Sequence, residues 1–392
     1  MVLPLLAALG IATLPNLRLT TSPFAAQYGY IRAAQEAGER PAGSGLSKAV
    51  DDLTALGKSF PSQFTSRSGR VVSVPGSTQA QVDELYWRTI DALVFSIGDP
   101  ARFAAVPQII PKIGGALDSE TAMKVLARAM DESRLDYERD VSPLGDKAAK
   151  AQIAAFESIP EKSRDKAVEF ILGTAGISKP PASVDILVIP RMAGKEGMTV
   201  RTPAGTRIVI GLGKYAGADF AEVVLHESTH VFDTTAGGES LFGKLRTALT
   251  AAKRPAFEIE QVPHVCMFML AAEAVRRFID PAHKDVGDTF GAYSRGLGPL
   301  RDIVRPDLDK LIAGQPIDQT VANIVCRLHS PRPLAPREHD GSPSTISHQP
   351  PSPPHLLRPA QHLTPNTPTP RVQPSAINHH PGFPASYATV NP

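Results

Sequence analysis

Cysteine is scarce in this chain, which has only two, Cys266 and Cys326, in 392 residues. Two cysteines exclude a disulfide scaffold, and their spacing excludes a Cys-x-x-Cys zinc pair. Both lie in apolar, helix-like stretches, which predicts buried free thiols, or one bridge if the protein is exported. The sequence also has no glycine-rich phosphate loop and no Gly-x-Ser-x-Gly element, so it lacks these signatures of nucleotide binding and of serine hydrolases.

An excess of charge of one sign is missing as well. The formal net charge is +2, and residues 331–392 account for it with four arginines against one glutamate and one aspartate. The rest of the chain is therefore neutral. Because a neutral body has no basic stripe to neutralise phosphates, nucleic acid is excluded as the main partner.

The apolar run Val2–Leu14 is too short to span a bilayer, and no other run is long enough, so no transmembrane span is predicted. The run resembles the apolar part of a secretory signal, although no basic residue precedes it. Residues 1–26 are therefore predicted to be a signal peptide, with a cleavage site near Ala25-Ala26, or an apolar N-terminal segment of the fold. The first alternative implies a secreted or periplasmic protein and the second a cytoplasmic one.

The composition changes sharply near residue 330. Sixteen of the 37 prolines fall in residues 331–392, together with many His, Ser and Thr and few aliphatic residues. Such a segment cannot bury enough apolar surface to offset the entropy of ordering it. Residues 330–392 are therefore predicted to be a disordered, Pro- and His-rich tail.

The body, residues 27–329, is predicted to be one domain with a helical part, residues 27–180, and a catalytic part, residues 181–329. Apolar residues recur in the helical part at spacings of three and four. The helices predicted there are Leu46–Leu56, Gln79–Phe95, Pro100–Ile113, Ser119–Asp131, Lys147–Phe156 and Glu161–Leu172.

The catalytic part opens with three β-branched runs, Val184–Ile189, Met198–Arg201 and Thr206–Gly211, which predict a small antiparallel sheet. Further helices follow, among them Ser240–Ala252 and His264–Ile279. The fold class is therefore mainly α (α+β): a helical scaffold with a small sheet before the segment that carries the chemistry.

That segment contains His226-Glu227-x-x-His230. On a helix, residues four apart project from the same face, so the two imidazoles can hold one metal ion while Glu227 reaches a water bound to it. Asp219 as N-cap and Glu222 three residues later predict a capped helix here. The spacing predicts a Zn²⁺ site with Glu227 as general base.

A catalytic zinc ion usually has three protein ligands, so one more is needed. The tenth residue after His226 is Ala236, which excludes the metzincin pattern. We favour Glu273, which lies among small residues in an apolar helix and would be costly to bury unpaired. Glu258 and Glu260 are the alternatives.

Two features of the helix around Glu273 leave its role open. Arg276 and Arg277 offer an ordinary ion pair for this carboxylate. His264 is nine residues away and so lies on the opposite side of a regular helix, which means that the two cannot both face the metal. If Pro263-His264 instead belongs to the turn before the helix, His264 is predicted, with Tyr293, to donate to a developing oxyanion. A structural role for this histidine is the alternative.

The HExxH helix followed by a helix with a buried Glu resembles the gluzincin metallopeptidases, whose aminopeptidase branch places its ligand Glu between small residues, as in Ala272-Glu273-Ala274. The resemblance implies a zincin-like fold, although the spacer from His230 to Glu273 is longer than in those families. The stretch from Pro263 through Arg276-Arg277, with Tyr293-x-Arg295-Gly296, is also similar to uncharacterised bacterial HExxH proteins over residues 80–328, which implies no substrate.

The sequence thus predicts a zinc-dependent hydrolase, gluzincin-like, that acts on a peptide or a small amide or ester. The alternative is a non-catalytic exported binding or interaction protein with a structural or vestigial zinc site. A helical scaffold without metal is the third interpretation. The residues predict neither the oligomeric state nor the identity of a substrate.

Overall fold

The protein is described here by a computed structural model that covers residues 13–65, 71–72, 78–98, 100–103, 105–194, 197–202, 205–291 and 293–329. The predicted tail, residues 330–392, and residues 1–12 of the apolar N-terminal segment lie outside the described residues. The fold is mainly helical with a small mixed sheet, which confirms the mainly α (α+β) class.

Of the described α-helices, eight lie in residues 23–175 and six in residues 218–329. They are α1 (Pro23–Ala37), α2 (Ser44–Lys58), α3 (Gln79–Ile97), α4 (Pro100–Phe103), α5 (Val106–Ile109), α6 (Ser119–Asp140), α7 (Ser142–Ser158), α8 (Glu161–Ala175), α9 (Ala218–Thr235), α10 (Leu241–Ala251), α11 (Ala256–Phe278), α12 (Val286–Thr289), α13 (Gly298–Ile312) and α14 (Ile317–His329). The strands are β1 (Asn16–Thr20), β2 (Phe64–Thr65), β3 (Val71–Val72), β4 (Lys112–Ile113), β5 (Leu117–Asp118), β6 (Ser183–Ile189), β7 (Gly197–Thr202) and β8 (Gly205–Gly211).

The main sheet has the strand order β1-β6-β8-β7. The hairpin β7–β8 is antiparallel, as the sequence predicts, but β6 pairs with β8 in parallel and β1 pairs with β6 in parallel. The predicted purely antiparallel sheet is therefore corrected to a mixed one. Strands β6, β7 and β8 were predicted from their β-branched runs, whereas β1 was not, and local sequence does not say which strand lies beside which.

The sheet separates two hydrophobic cores because successive side chains of a strand point to opposite faces. Val184, Ile186 and Val188 of β6 face a core with α8, α9 and α11, whereas Leu187 and Ile189 face a second core with α1, α2, α3 and α6. The sheet thus does not divide the predicted helical part from the catalytic part, because α8 of the helical part packs in the same core as α9 and α11.

The N-terminal segment takes part in this arrangement. Residues 16–20 form strand β1, and the candidate cleavage site Ala25-Ala26 lies inside α1, with both alanines buried. Cleavage there would remove a strand from the sheet and open the start of a packed helix. The other large difference is at Pro100–Ile113, where the predicted helix is instead two short helices and strand β4.

Within the described residues, no helix has both the length and the hydropathy needed to cross a bilayer. Cys266 is a buried free thiol, as predicted, whereas Cys326 is exposed and not buried as predicted. Burial raises the pKa of the Cys266 thiol to about 12.

Candidate metal centre

Helix α9 carries the His-Glu-x-x-His segment and is packed on nearly all sides. It begins one residue before the predicted cap, with Gly217 at the N-cap, and Asp219 falls in its first turn. The predicted capping box is therefore wrong. Burial of Phe220, Val224 and Val231 against the core of the catalytic part holds this helix in place, and packing of this kind supplies most of the stability of helices in proteins.

Glu222, the other half of the predicted capping box, is buried and binds a different partner. Its carboxylate lies 2.5 Å from His283 Nε2 and accepts a hydrogen bond from the backbone N–H of Val286 at 3.0 Å. Burial raises the pKa of Glu222 to about 7. These contacts connect the segment after α11 to α9 at Glu222, one turn before His226.

Helix α11 brings a third imidazole to this place. The sequence predicts that the helix starts at His264, after Pro263, but the structure has one continuous helix from Ala256 to Phe278. A proline inside a helix costs about 3 kcal/mol because it removes a hydrogen bond and crowds the preceding turn. Packing of α11 against α8, α9, α10 and α13 compensates for this cost.

The three imidazoles converge. His226 Nε2 lies 3.1 Å from His264 Nε2 and 3.3 Å from His230 Nε2, and the candidate ligand atoms of all three residues lie within 4.8 Å of one another. A tetrahedral zinc ion with Zn–N bonds of about 2.0–2.1 Å keeps its donor nitrogens about 3.3 Å apart. The separations of His226 Nε2 from the other two nitrogens therefore fit a single tetrahedral ion.

Two of the three histidines are also held in the protonation state that binds metal. Burial lowers the pKa of His226 and of His230 well below the ordinary value, and the neighbouring imidazoles lower it further. A metal ion binds the neutral imidazole through a ring nitrogen lone pair. The low pKa of these two rings therefore favours a cation beside them.

Two side chains of α11 contact these rings and favour their orientation. Gln261, buried one turn before His264, places its side-chain oxygen 3.4 Å from His264 Nδ1, so that this nitrogen can donate and Nε2 is left for the metal. Phe268, one turn after His264, stacks on the His226 ring with the ring centres 3.8 Å apart. Sequence reasoning missed both roles, although the spacings of three and four from His264 were visible.

We expect Gln261→Leu to weaken zinc binding by about 10- to 100-fold, because loss of a partner that orients a ligand typically has this effect. Leucine fills a similar volume but cannot accept the hydrogen bond of His264 Nδ1. Zinc affinity is measured by competition with a chromophoric chelator. Gln261→Glu keeps an acceptor and should retain the affinity, and equal affinities in the wild type and the leucine variant would contradict the role.

Glu227 lies beside the three imidazoles and under the sheet. Its side chain is 13 % exposed, and its Oε1 is 3.9 Å from His226 Nε2. Strand β7 passes so close that a Cβ atom built on Gly197 would lie 2.1 Å from Glu227 Oε1. Glycine at 197 therefore lets the edge strand of the sheet come directly against this carboxylate.

The structure places Glu273 elsewhere. Its carboxylate accepts hydrogen bonds from Arg276 at 2.9 Å and from Arg277 at 2.6 Å, which is the ordinary ion pair left open by the sequence. Because α11 is continuous, Glu273 and His264 lie on opposite sides of it, and His264 faces the other two histidines. His264, and not the predicted Glu273, therefore lies with His226 and His230 in the group of candidate ligand atoms.

The other candidates also lie outside this group of histidines. Glu258 is paired with Arg254 at 2.7 Å, and Glu260 is not among the residues whose ligand atoms converge. Tyr293, predicted as an oxyanion donor, is buried and donates its hydroxyl proton to Asp285 at 3.1 Å. The centre of its ring lies 6.2 Å from that of Phe268, the residue that stacks on His226.

Comparisons with models of protein families, with curated proteins and with solved structures gave no match. The functional interpretation therefore depends on the geometry of His226, Glu227, His230 and His264.

Proposed function

We propose that the protein is a zinc-dependent hydrolase of peptides or of small amides or esters. The observation that carries this proposal is the convergence of His226, His230 and His264 at the N···N spacing of a tetrahedral ion, with a carboxylate next to them. The described part of the chain supplies three donors, which is the number that catalytic zinc sites use, whereas structural sites use four.

Each residue then has a defined task. His226, His230 and His264 would hold the zinc ion, which when bound would supply Lewis-acid chemistry and make a water easier to ionise. Glu227, beside His226, accepts the proton of that water as general base and passes it to the leaving group as general acid. Gln261 holds the His264 ring, and Phe268 packs against the His226 ring.

Strand β7 supports a peptide as the substrate class. Among the described strands it pairs only with β8, so its other edge presents backbone N–H and C=O groups. An extended peptide can add to such an edge by main-chain hydrogen bonds. Because Gly197 lies against Glu227, a peptide on this edge would pass the general base.

Metal analysis of the purified full-length protein tests the proposal together with hydrolysis of a fluorogenic peptide library. We expect close to one equivalent of zinc, hydrolysis that a chelator abolishes, and recovery when zinc is restored. A protein that binds no divalent metal would contradict the proposal. Zinc without hydrolysis of any peptide, amide or ester would instead support the alternative, a non-catalytic zinc protein.

We expect Gly197→Ala to lower hydrolysis about 100-fold while zinc stays bound, because displacement of a catalytic group by about 1 Å can have an effect of this size. The added methyl group would overlap the Glu227 carboxylate, which must swing away from its position beside His226. The rates and the zinc content are measured on the same preparations.

Gly57→Ala is the control for this substitution. Gly57 lies in α2, where a Cβ atom would make contacts of 3.3 Å or more with the Trp87 ring. This variant should keep full activity. Wild-type activity in Gly197→Ala would show that β7 does not set the position of Glu227.

A further inference from the structure

A second carboxylate near the centre differs from its neighbours on α11. Helix α11 carries three glutamates, of which Glu258 is paired with Arg254 and Glu273 with Arg276 and Arg277. Among the described residues, Glu260 forms no ion pair of this kind. Its Oε2 atom is buried and has no hydrogen-bond partner in the part of the chain that the structure describes.

The position of Glu260 relates it to the metal site. It lies four residues before His264 on a continuous helix, so both residues project from the same face, one turn or about 5.4 Å apart. The Arg88 guanidinium of α3 acts on it through charge but does not hydrogen-bond the buried oxygen. Burial raises the pKa of Glu260, as expected for a carboxylate without a close counter-charge.

A buried carboxylate oxygen without a partner is unfavourable, and native proteins satisfy nearly all such atoms. The exceptions call for a ligand or a functional explanation. Among the described residues, no cation lies within hydrogen-bond distance of Glu260 Oε2, and this side chain lies one helical turn from His264. A positive group on a substrate at the zinc site would supply the missing partner.

We propose that Glu260 binds a positively charged group, an ammonium or a guanidinium, of a substrate whose scissile group lies at the zinc site. The inference rests on the proposed function, since it needs a ligand at the metal. The cation has two sources, the N-terminal amine of a peptide or a basic side chain, and both would make the same charged hydrogen bond with Glu260.

The test uses zinc-loaded full-length protein and two pairs of hydroxamates, which bind zinc through the same end. The short pair is glycine hydroxamate and its neutral isostere propanohydroxamate. The long pair is 6-aminohexanohydroxamate and heptanohydroxamate. Calorimetry gives the affinity of each compound for the wild type, for Glu260→Gln and for the control Glu258→Gln, which removes the same charge from the same helix.

In the wild type, the amine of one pair should bind at least about 10-fold more tightly than its neutral partner. A hydrogen bond between charged groups contributes a gain in affinity of about this size. In Glu260→Gln this ratio should fall to about one, with zinc content and affinity for the neutral compounds unchanged, while Glu258→Gln keeps the wild-type ratio. Preference in the short pair identifies an N-terminal amine, and preference in the long pair identifies a basic side chain.

Two other results would overturn the inference in different ways. Equal affinities within both pairs, or a preference that survives in Glu260→Gln, would reject the role of Glu260 and leave the zinc hydrolase standing. A protein that binds neither zinc nor any hydroxamate would reject the proposed function, and the inference with it.

Discussion

The Glu227→Gln variant should retain its zinc and lose hydrolysis by about 100- to 10,000-fold, the usual contribution of a general acid–base residue. Glutamine has almost the same shape, so the imidazole cluster and the packing against Gly197 stay in place. It cannot, however, accept a proton from water at neutral pH. Steady-state rates on the best peptide substrate and zinc content of the same samples measure the two effects separately.

Glu273→Gln is the matched control for this loss. It makes the same chemical change on α11, in a carboxylate that pairs with Arg276 and Arg277 away from the histidines. We expect it to keep both zinc and rate. Hydrolysis at the wild-type rate in Glu227→Gln would remove Glu227 from the mechanism and point to another base.

The second large effect is expected for His264→Ala, which should lose zinc more completely than any variant of a residue that only orients a ligand. Removal of such an orienting partner weakens binding about 10- to 100-fold, and removal of one of three donors should exceed this. Zinc is measured by elemental analysis after dialysis against a weak chelator. Circular dichroism shows whether the apo protein keeps its helices.

Glu273→Ala gives the opposite expectation, full zinc content, and the two variants together decide the third ligand. If Glu273→Ala loses zinc and His264→Ala keeps it, the donors are the two histidines and one glutamate implied by the gluzincin resemblance. Parallel measurements on Glu258→Ala and Glu260→Ala cover the other carboxylates of α11, and we expect both to keep the metal.

The proposed donor set has a chemical consequence. Three imidazoles are neutral ligands, whereas a gluzincin set includes one carboxylate and so cancels one unit of the charge of the ion. The site would therefore keep the full double positive charge, which favours ionisation of a bound water and binding of anionic groups.

Much of the centre was readable because it is local. His226, Glu227 and His230 lie within five residues, and the helical repeat alone puts the two imidazoles on one face. The same repeat shows that His264 and Glu273 cannot face one metal from a single regular helix. The strands β6, β7 and β8 were also predicted, since β-branched runs between turn residues identify strands without reference to the rest of the fold.

The errors occur where a distant part of the chain decides the outcome. Asp219 and Glu222 have the spacing of a capping box, but the carboxylate of Glu222 is taken by His283 and by the backbone of Val286, more than sixty residues later. Pro263 has the local property of a helix breaker. Helix α11 nevertheless continues through it, because neighbouring helices pack against α11.

The sequence by itself determined helix α9, the pair of imidazoles on one of its faces and the carboxylate beside them, because one helical turn fixes their geometry. Only the tertiary structure decided the third nitrogen, which depends on the path of α10 and on which side of α11 faces α9. It also decided that Gly197 lies over Glu227, since no local pattern predicts where an edge strand passes a helix. Long-range packing sets the positions of His264 and Gly197, whereas the helical repeat of the backbone sets the positions of His226, Glu227 and His230.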